Sequence, residues 1–366
     1  MELSYHCKKS EQTVLSAAKR FSPKESIATD KCLLFRGDCF EAMAMLLPEY
    51  KGKIQLVYLD PPVNGYMSEG CKAARVSADE YVEFVRERLI LARELLSEDG
   101  SVYIHTPSKD AFAVKLIADE VFGENAYRND IARVRTNPRN SAQNAYGCEK
   151  DTLLFYTKNP DGYVWNDVRI AISEEEYSEK FNKTDQYGRR YATVALHAPG
   201  KTKSGATGEK WRGLSAPEGR HWMTTPEELD RLDAEGRIEW SASGNPRLIV
   251  YAYEYEGKRL QDVWEYKDPQ NPSRPGEKNT ELCELIVRQS SKKDGLVLDM
   301  FSGSGAFLRA AETHNRRWIG VECDAEAVDS IMAKAKRSFE FFDLFTGHRQ
   351  SVTKLQAHQL SFFDEI

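Results

Sequence analysis

Short apolar runs, each closed by a charged or small polar residue, alternate with helical-period segments toward both ends of this chain. Cys32–Arg36, Ile54–Leu59 and Ser101–His105 read as strands, because they are apolar, partly β-branched and bounded by turn residues. A short helix is predicted near Glu11–Phe21 and a second from Asp38 through Leu47. Ser77-Ala78-Asp79-Glu80 is a capping box, and the helix it opens carries Tyr81, Val85, Leu89, Ala92 and Leu96 on one face. Asp99-Gly100 closes that helix, and Ala111–Val121, stopped at Phe122-Gly123, is the next. Strand–helix alternation of this kind predicts a parallel α/β sheet.

From about Arg128 the pattern changes. Ile131–Arg135 and Asp151–Thr157 read as strands flanking a polar loop, and residues 158–270 lose sustained periodicity apart from an acidic helix at Pro226–Glu235 and strands within 236–255. Too many aromatics lie there for a linker, so an appended folded unit is predicted. The Pro- and Gly-rich stretch Pro269–Gly276 marks its end. Periodicity then returns as a helix (Thr280–Ser290), a strand from Leu296 to Asp299, a glycine-rich turn, a helix (Ala306–Thr313) and a strand from Arg317 into Glu322. The expected segments are 1–157, 158–270, 271–346 and a tail, 347–366.

Composition narrows this picture only slightly. The 366 residues are 41% hydrophobic and 30% charged, enough for one large domain with an insertion. A net charge of -6 makes any nucleic-acid surface a local one. Seven scattered cysteines without a Cys-x-x-Cys pair argue for reduced thiols, against a disulfide framework and against a zinc site. With no signal-like or membrane-length apolar stretch, a cytoplasmic location is expected.

Candidate chemistry sits at strand ends. Asp60-Pro61-Pro62 directly follows an apolar strand, and the two prolines stop it abruptly. That arrangement holds one carboxylate and adjacent carbonyls rigidly, as a grip on an amino group requires. A proline turn after a core strand is the alternative. Asp38, after Gly37, either caps the following helix or binds a ligand. Asp299-Met300-Phe301-Ser302-Gly303-Ser304-Gly305 joins a strand to a helix, and Glu322 ends the next strand, where it can accept from ribose hydroxyls. These features suit any adenosine-bearing cofactor, nicotinamide or sulfonium. Basic residues interleaved with amides or aromatics follow: Arg133, Arg135, Asn137 and Arg139 in one cluster, Lys201, Lys203, Trp211, Arg212 and Arg220 in another. Each can contact phosphates and bases, or be a solvated loop.

Asp60-Pro61-Pro62 placed before Val297–Gly305 and Glu322 resembles the beta group of DNA amino-methyltransferases, in which the catalytic motif precedes the cofactor motif. The likeness extends from about Leu33 to Ala335 and takes in Trp211-Arg212-Gly213, Gly219–Trp222 and Leu260–Trp264. It implies a doubly wound, mostly parallel Rossmann-like sheet with circularly permuted motif order and an inserted DNA-recognition domain. It implies S-adenosylmethionine as cofactor, with Phe301, Ser302, Gly303 and Gly305 as its loop, Asp299 beneath, Glu322 on the ribose, and Asp38 near the adenine. Asn279 and Thr280, in a loose match to a further motif, would approach the methionine end. Asp60, Pro61 and Pro62 would bind the target amine of a flipped base, N6 of adenine rather than N4 of cytosine.

One departure matters. Val63 stands where the family carries an aromatic that stacks on the base, so the resemblance also admits a catalytically impaired DNA-binding subunit. A dehydrogenase would leave Asp60-Pro61-Pro62 unexplained, whereas RNA would remain a suitable amine-bearing substrate. Gln359-Leu360-Ser361-Phe362-Phe363 in the tail resembles a peptide that docks on the bacterial sliding clamp; the alternative is that its aromatics pack back on the protein's own sheet. Self-association and restriction or defence subunits complete the expected partners.

Overall fold

The computed structural model describes residues 3–354 except 24, 28–29, 63–66, 70–71, 75, 138–143, 145, 201, 203–204 and 243, with backbone alone for 67–69 and 72–74. Two compact units result: residues 1–168 with 261–366, and residues 169–260. The second is narrower than the 158–270 read from the sequence.

The first unit is built on a ten-stranded sheet of β1 (Cys32–Arg36), β2 (Ile54–Leu59), β3 (Leu96–Pro107), β4 (Tyr127–Val134), β5 (Lys150–Thr157), β6 (Val263–Glu265), β7 (Leu296–Asp299), β8 (Arg317–Glu322), β9 (Phe339–Asp343) and β10 (His348–Val352). Their order is β6-β4-β5-β3-β2-β7-β8-β1-β9-β10. Only β5 and β10 run against the rest. The helices are α1 (Glu11–Ala18), α2 (Cys39–Tyr50), α3 (Ala78–Leu95), α4 (Ala111–Phe122), α5 (Thr280–Ser290), α6 (Ala306–Thr313) and α7 (Ala325–Lys334).

All six residues of β2 are buried, as a strand covered on both faces requires. Each fully buried Leu, Ile or Val there contributes roughly 1.5–3 kcal/mol of transfer free energy. α3 ends at Leu95, before the Asp99-Gly100 stop expected for it: Leu96 is already extended and pairs with Ile54, and Asp99-Gly100 lies within β3. β2 and β7 lie side by side, with Asp299 opposite Tyr58. From β2 the chain proceeds through α3 to β3 on one side, and from β7 through α6 to β8 on the other. This is the topological switch point, where doubly wound sheets open a crevice beyond their carboxyl ends.

In the second unit Tyr191–Ala195 pairs with Arg247–Tyr251, and Leu196, Trp211, Trp222, Leu229 and Ile238 form a small core. Its two ends are joined as a strand pair, Arg169 opposite Arg259 and Ile170 opposite Lys258. No helix among the described residues is long and apolar enough to cross a membrane.

Candidate active site

Beyond the carboxyl ends of β1, β2, β3, β7 and β8 lies a cavity of about 420 Å³. Because β5 is antiparallel, its first residues reach the same edge and add Asp151. Asp60, Pro61, Pro62, Phe301, Gly303, Glu322 and Asp38, far apart in sequence, all line this one cavity.

The half nearest β7 and β8 has the features of a nucleoside site. The Glu322 carboxylate accepts from the N–H groups of Gly303 (2.7 Å), Cys323 (2.8 Å) and Asp324 (2.9 Å). It therefore pins the glycine turn, and the roughly four lone-pair sites of a carboxylate still leave one for a hydroxyl. Gly303 and Gly305 have φ of 48° and 75°, the left-handed region that a side chain disfavours. Asp299 is buried below the turn and accepts from the N–H of Phe301 at 3.3 Å. Burial pushes its carboxyl well above the usual range, and the negative charges of Asp60 and Glu322 add to that. Ser302, also buried, donates its hydroxyl to the Asp299 carbonyl.

Of the two functions weighed for Asp38, capping is the one observed. The residue caps α2 by accepting from the N–H of Phe40 at 2.7 Å, pairs with Arg88 at 2.7 Å, and lines the cavity. Asn279 instead caps α5 through the N–H of Leu282 and donates to the Lys267 carbonyl, while Thr280 opens the helix on its exposed side. What this segment contributes to the lining is Pro275, Gly276 and Lys278.

The other half of the cavity is a polar pocket around Asp60. Lys278 forms an ion pair with the Asp60 carboxylate. Burial alone would lower the ammonium's pKa, but the attraction and hydrogen bond of Asp60 hold it above its ordinary value. His105, fully buried at the end of β3, places Nδ1 2.7 Å from the Tyr58 hydroxyl and 3.9 Å from Asp60 Oδ1. Its Nε2 lies 3.3 Å from Asp151 Oδ2. Burial lowers the imidazole's pKa despite the nearby carboxylates, so it is neutral at pH 7. Burial raises the Asp151 carboxyl, but the adjacent His105 and the charges of Arg135 and Arg133 outweigh it and hold the group below the usual carboxylate range.

Lys278, His105 and Asp151 were not singled out by sequence reasoning. Lys278 stood inside the loosely matched Lys278-Asn279-Thr280, and His105 only marked a strand end. For Asp151 no local signal existed.

The residues expected on DNA are divided by the structure. Arg133 is corrected: its side chain is 0% exposed, donates to the Tyr266 carbonyl and pairs with Asp268, so it is buried and cannot meet a phosphate. Trp211 is likewise core, 1% exposed, donating its indole N–H to Asp230 at 2.9 Å. Arg135 borders the cavity with its side chain 43% exposed, and exposed Asn137 accepts from Lys267 at 2.7 Å. Arg212 pairs with Asp230 and Asp233 within the second unit, where Arg220 is exposed beside His197. Val63, Arg139, Lys201, Lys203 and the stretch Gln359–Phe363 lie outside the described residues.

Residues 54–334 match the model of a family described as DNA methylase. The type II methyltransferase M.EcaI of Enterobacter cloacae is 35% identical over 346 residues, 91% of this chain and 75% of that one. The Mod subunit of the type III restriction-modification enzyme EcoP15I of Escherichia coli is 23% identical, over 91% of this chain but 65% of its own length. Among solved structures, the PvuII DNA methyltransferase (cytosine-N4-specific) is similar with a TM-score of 0.49 and 13% identity, covering 82% of this chain and 86% of that one.

Proposed function

The chain belongs to the DNA methylase family, and on that premise we propose that it methylates N6 of a flipped adenine in duplex DNA. The observation that carries this reading is the single cavity shared by Asp60-Pro61-Pro62 and the Gly303–Glu322 turn. The donor, S-adenosylmethionine, supplies when bound a methyl group on a positively charged sulfur. Gly303, Gly305, Phe301, Ser302 and Glu322 would hold it, with Asp38 at the adenine end and Asp299 supporting the turn. The fit is chemical: a carboxylate with a free lone pair, a glycine turn open to close approach, and half-buried Phe301.

The exocyclic amine of adenine is a poor nucleophile because its lone pair is delocalised into the ring. Acceptors at Asp60 and at the Pro61 carbonyl favour a pyramidal nitrogen and aim its lone pair. Catalysis is then positioning and electrostatics, with no covalent enzyme intermediate. A stacked base cannot reach the cavity, so it must be flipped. Asp rather than Ser at the head of the motif supports adenine over cytosine. Arg135 and Asn137 would contact the DNA near the base, and the unit 169–260, with Arg212 and Arg220, would read the surrounding sequence.

The test is transfer of labelled methyl groups to duplex DNA, followed by nucleoside analysis. N6-methyladenine is expected, and N4-methylcytosine would overturn the choice of base. A second reading, a subunit that binds DNA without transferring, is favoured by Val63. Under it the unchanged protein binds DNA and cofactor without transfer, and Val63→Tyr gains activity by supplying stacking of about 1–3 kcal/mol. For the tail we propose docking on the sliding clamp. Removing residues 358–366 should abolish clamp binding and leave methylation of short duplexes unchanged.

A further inference from the structure

His105 is more deeply buried than a pocket lining needs, and it connects two carboxylates. Asp60 lies on one side of the ring, with Oδ1 3.9 Å from Nδ1, and Asp151 on the other, with Oδ2 3.3 Å from Nε2. The Tyr58 hydroxyl, from β2, stands 2.7 Å from Nδ1. If Nε2 carries the ring proton it faces the Asp151 carboxylate, and Nδ1 is left as an acceptor facing Tyr58 and Asp60. The other charged groups facing the ring are Arg133 from β4 and Lys278 from the segment before α5. Both are committed to carboxylates, Arg133 to Asp268 and Lys278 to Asp60. Asp151 is also within 3.4 Å of Arg135, whose half-exposed side chain leads to the cavity mouth.

Amine methylation creates a disposal problem inside this pocket. As the nitrogen–carbon bond forms and the carbon–sulfur bond breaks, the sulfur becomes neutral and the amine nitrogen acquires the positive charge. One N–H proton must leave to give the neutral methylamine. Asp60 can accept it, but a proton kept there would block the next turnover. We propose that His105 is the positioning and proton-relay residue of this site, taking the amine's proton from Asp60 at Nδ1 while Asp151 stabilises the imidazolium formed. The proton then leaves past Asp151 and Arg135 to solvent. The relay rests on the reading of the chain as an amine methyltransferase. A neutral imidazole is the state it requires, and burial supplies that state at pH 7.

The experiment is the single-turnover rate of methyl transfer against pH, with cofactor and DNA affinities measured alongside. The unchanged protein should lose rate on the acid side as His105 becomes protonated. His105→Gln should lose at least tenfold in rate at pH 7.5 and lose the acid limb, with both affinities within about threefold. Asp151→Asn, which keeps the ring but removes the stabilising charge, should move the acid limb to lower pH and slow the reaction. Tyr58→Phe provides a check that removes no charge: the limb is retained. No transfer by the unchanged protein would overturn the reading of the reaction and the relay with it. Transfer with an unmoved acid limb in both His105→Gln and Asp151→Asn would overturn the relay alone.

Discussion

Asp60 is asked to do two things, and they can be separated. It is the proposed acceptor for the target amine and the observed counter-ion of Lys278. Asp60→Ala should therefore lower the single-turnover rate by on the order of 10²–10³, the usual effect of losing one preorganised polar group. It should also cost about 1–3 kcal/mol of stability, less than the 3–5 of a fully buried pair because both side chains keep about a fifth of their exposure. Adding Lys278→Met should restore stability, read by denaturant unfolding, without restoring the rate. Asp299 gives the opposite sign. Its folded-state pKa is raised, so the native state binds a proton that the unfolded chain has released above pH 4. Stability is then full below the unfolded pKa and declines as pH rises. Asp299→Asn should raise Tm at pH 7–8, and the gain should vanish below about pH 4. An equal gain at both pH values would contradict the buried, protonated carboxyl.

At the scale of elements, several strands and helices around the cavity were legible because they carry their own start or stop signals, whereas the Asp99-Gly100 stop read for α3 lies inside β3. Asp60-Pro61 ends β2, Gly303 and Gly305 turn β7 into α6, and the Ser77–Glu80 box opens α3. In that box the Glu80 N–H reaches Ser77 Oγ at 3.3 Å, and the Ser77 N–H reaches the Glu80 carboxylate at 2.7 Å. Ser77→Ala should cost about 1 kcal/mol, measured as a shift in the denaturant midpoint with unchanged slope. The Arg133 and Trp211 expectations failed for a common reason. Alternation or charge density identifies a basic or aromatic segment, but burial depends on which strands and helices close over it. Arg133 sits on β4, where β6 brings Tyr266 and Asp268 over it, a contact between residues more than 130 positions apart.

For the whole molecule, the joining of Arg169 to Arg259 and Ile170 to Lys258 makes residues 169–260 removable in principle. Both ends enter and leave through one strand pair, and each unit has its own core. Replacing 169–260 by a short Gly-Ser linker should leave a folded, cofactor-binding protein that has lost sequence-selective DNA binding. Calorimetry with the cofactor and competition between specific and random duplexes would measure the two effects. Selective binding retained by the shortened chain would remove this unit from recognition.

The sequence by itself determined what local physics enforces: strand ends, caps, glycine turns, and the order of the two motifs. The resemblance carried by that order implied the permuted sheet, in which Asp299 lies opposite Tyr58. Tertiary structure alone decided the composition of the polar pocket around Asp60. Lys278 arrives from before α5, His105 from β3 and Asp151 from an antiparallel strand, and no periodicity relates them. Their ionisation is likewise a tertiary property. Burial lowers the pKa of His105 and raises that of the Asp299 carboxyl, while opposite charge raises that of Lys278, and a linear chain carries neither depth nor neighbours.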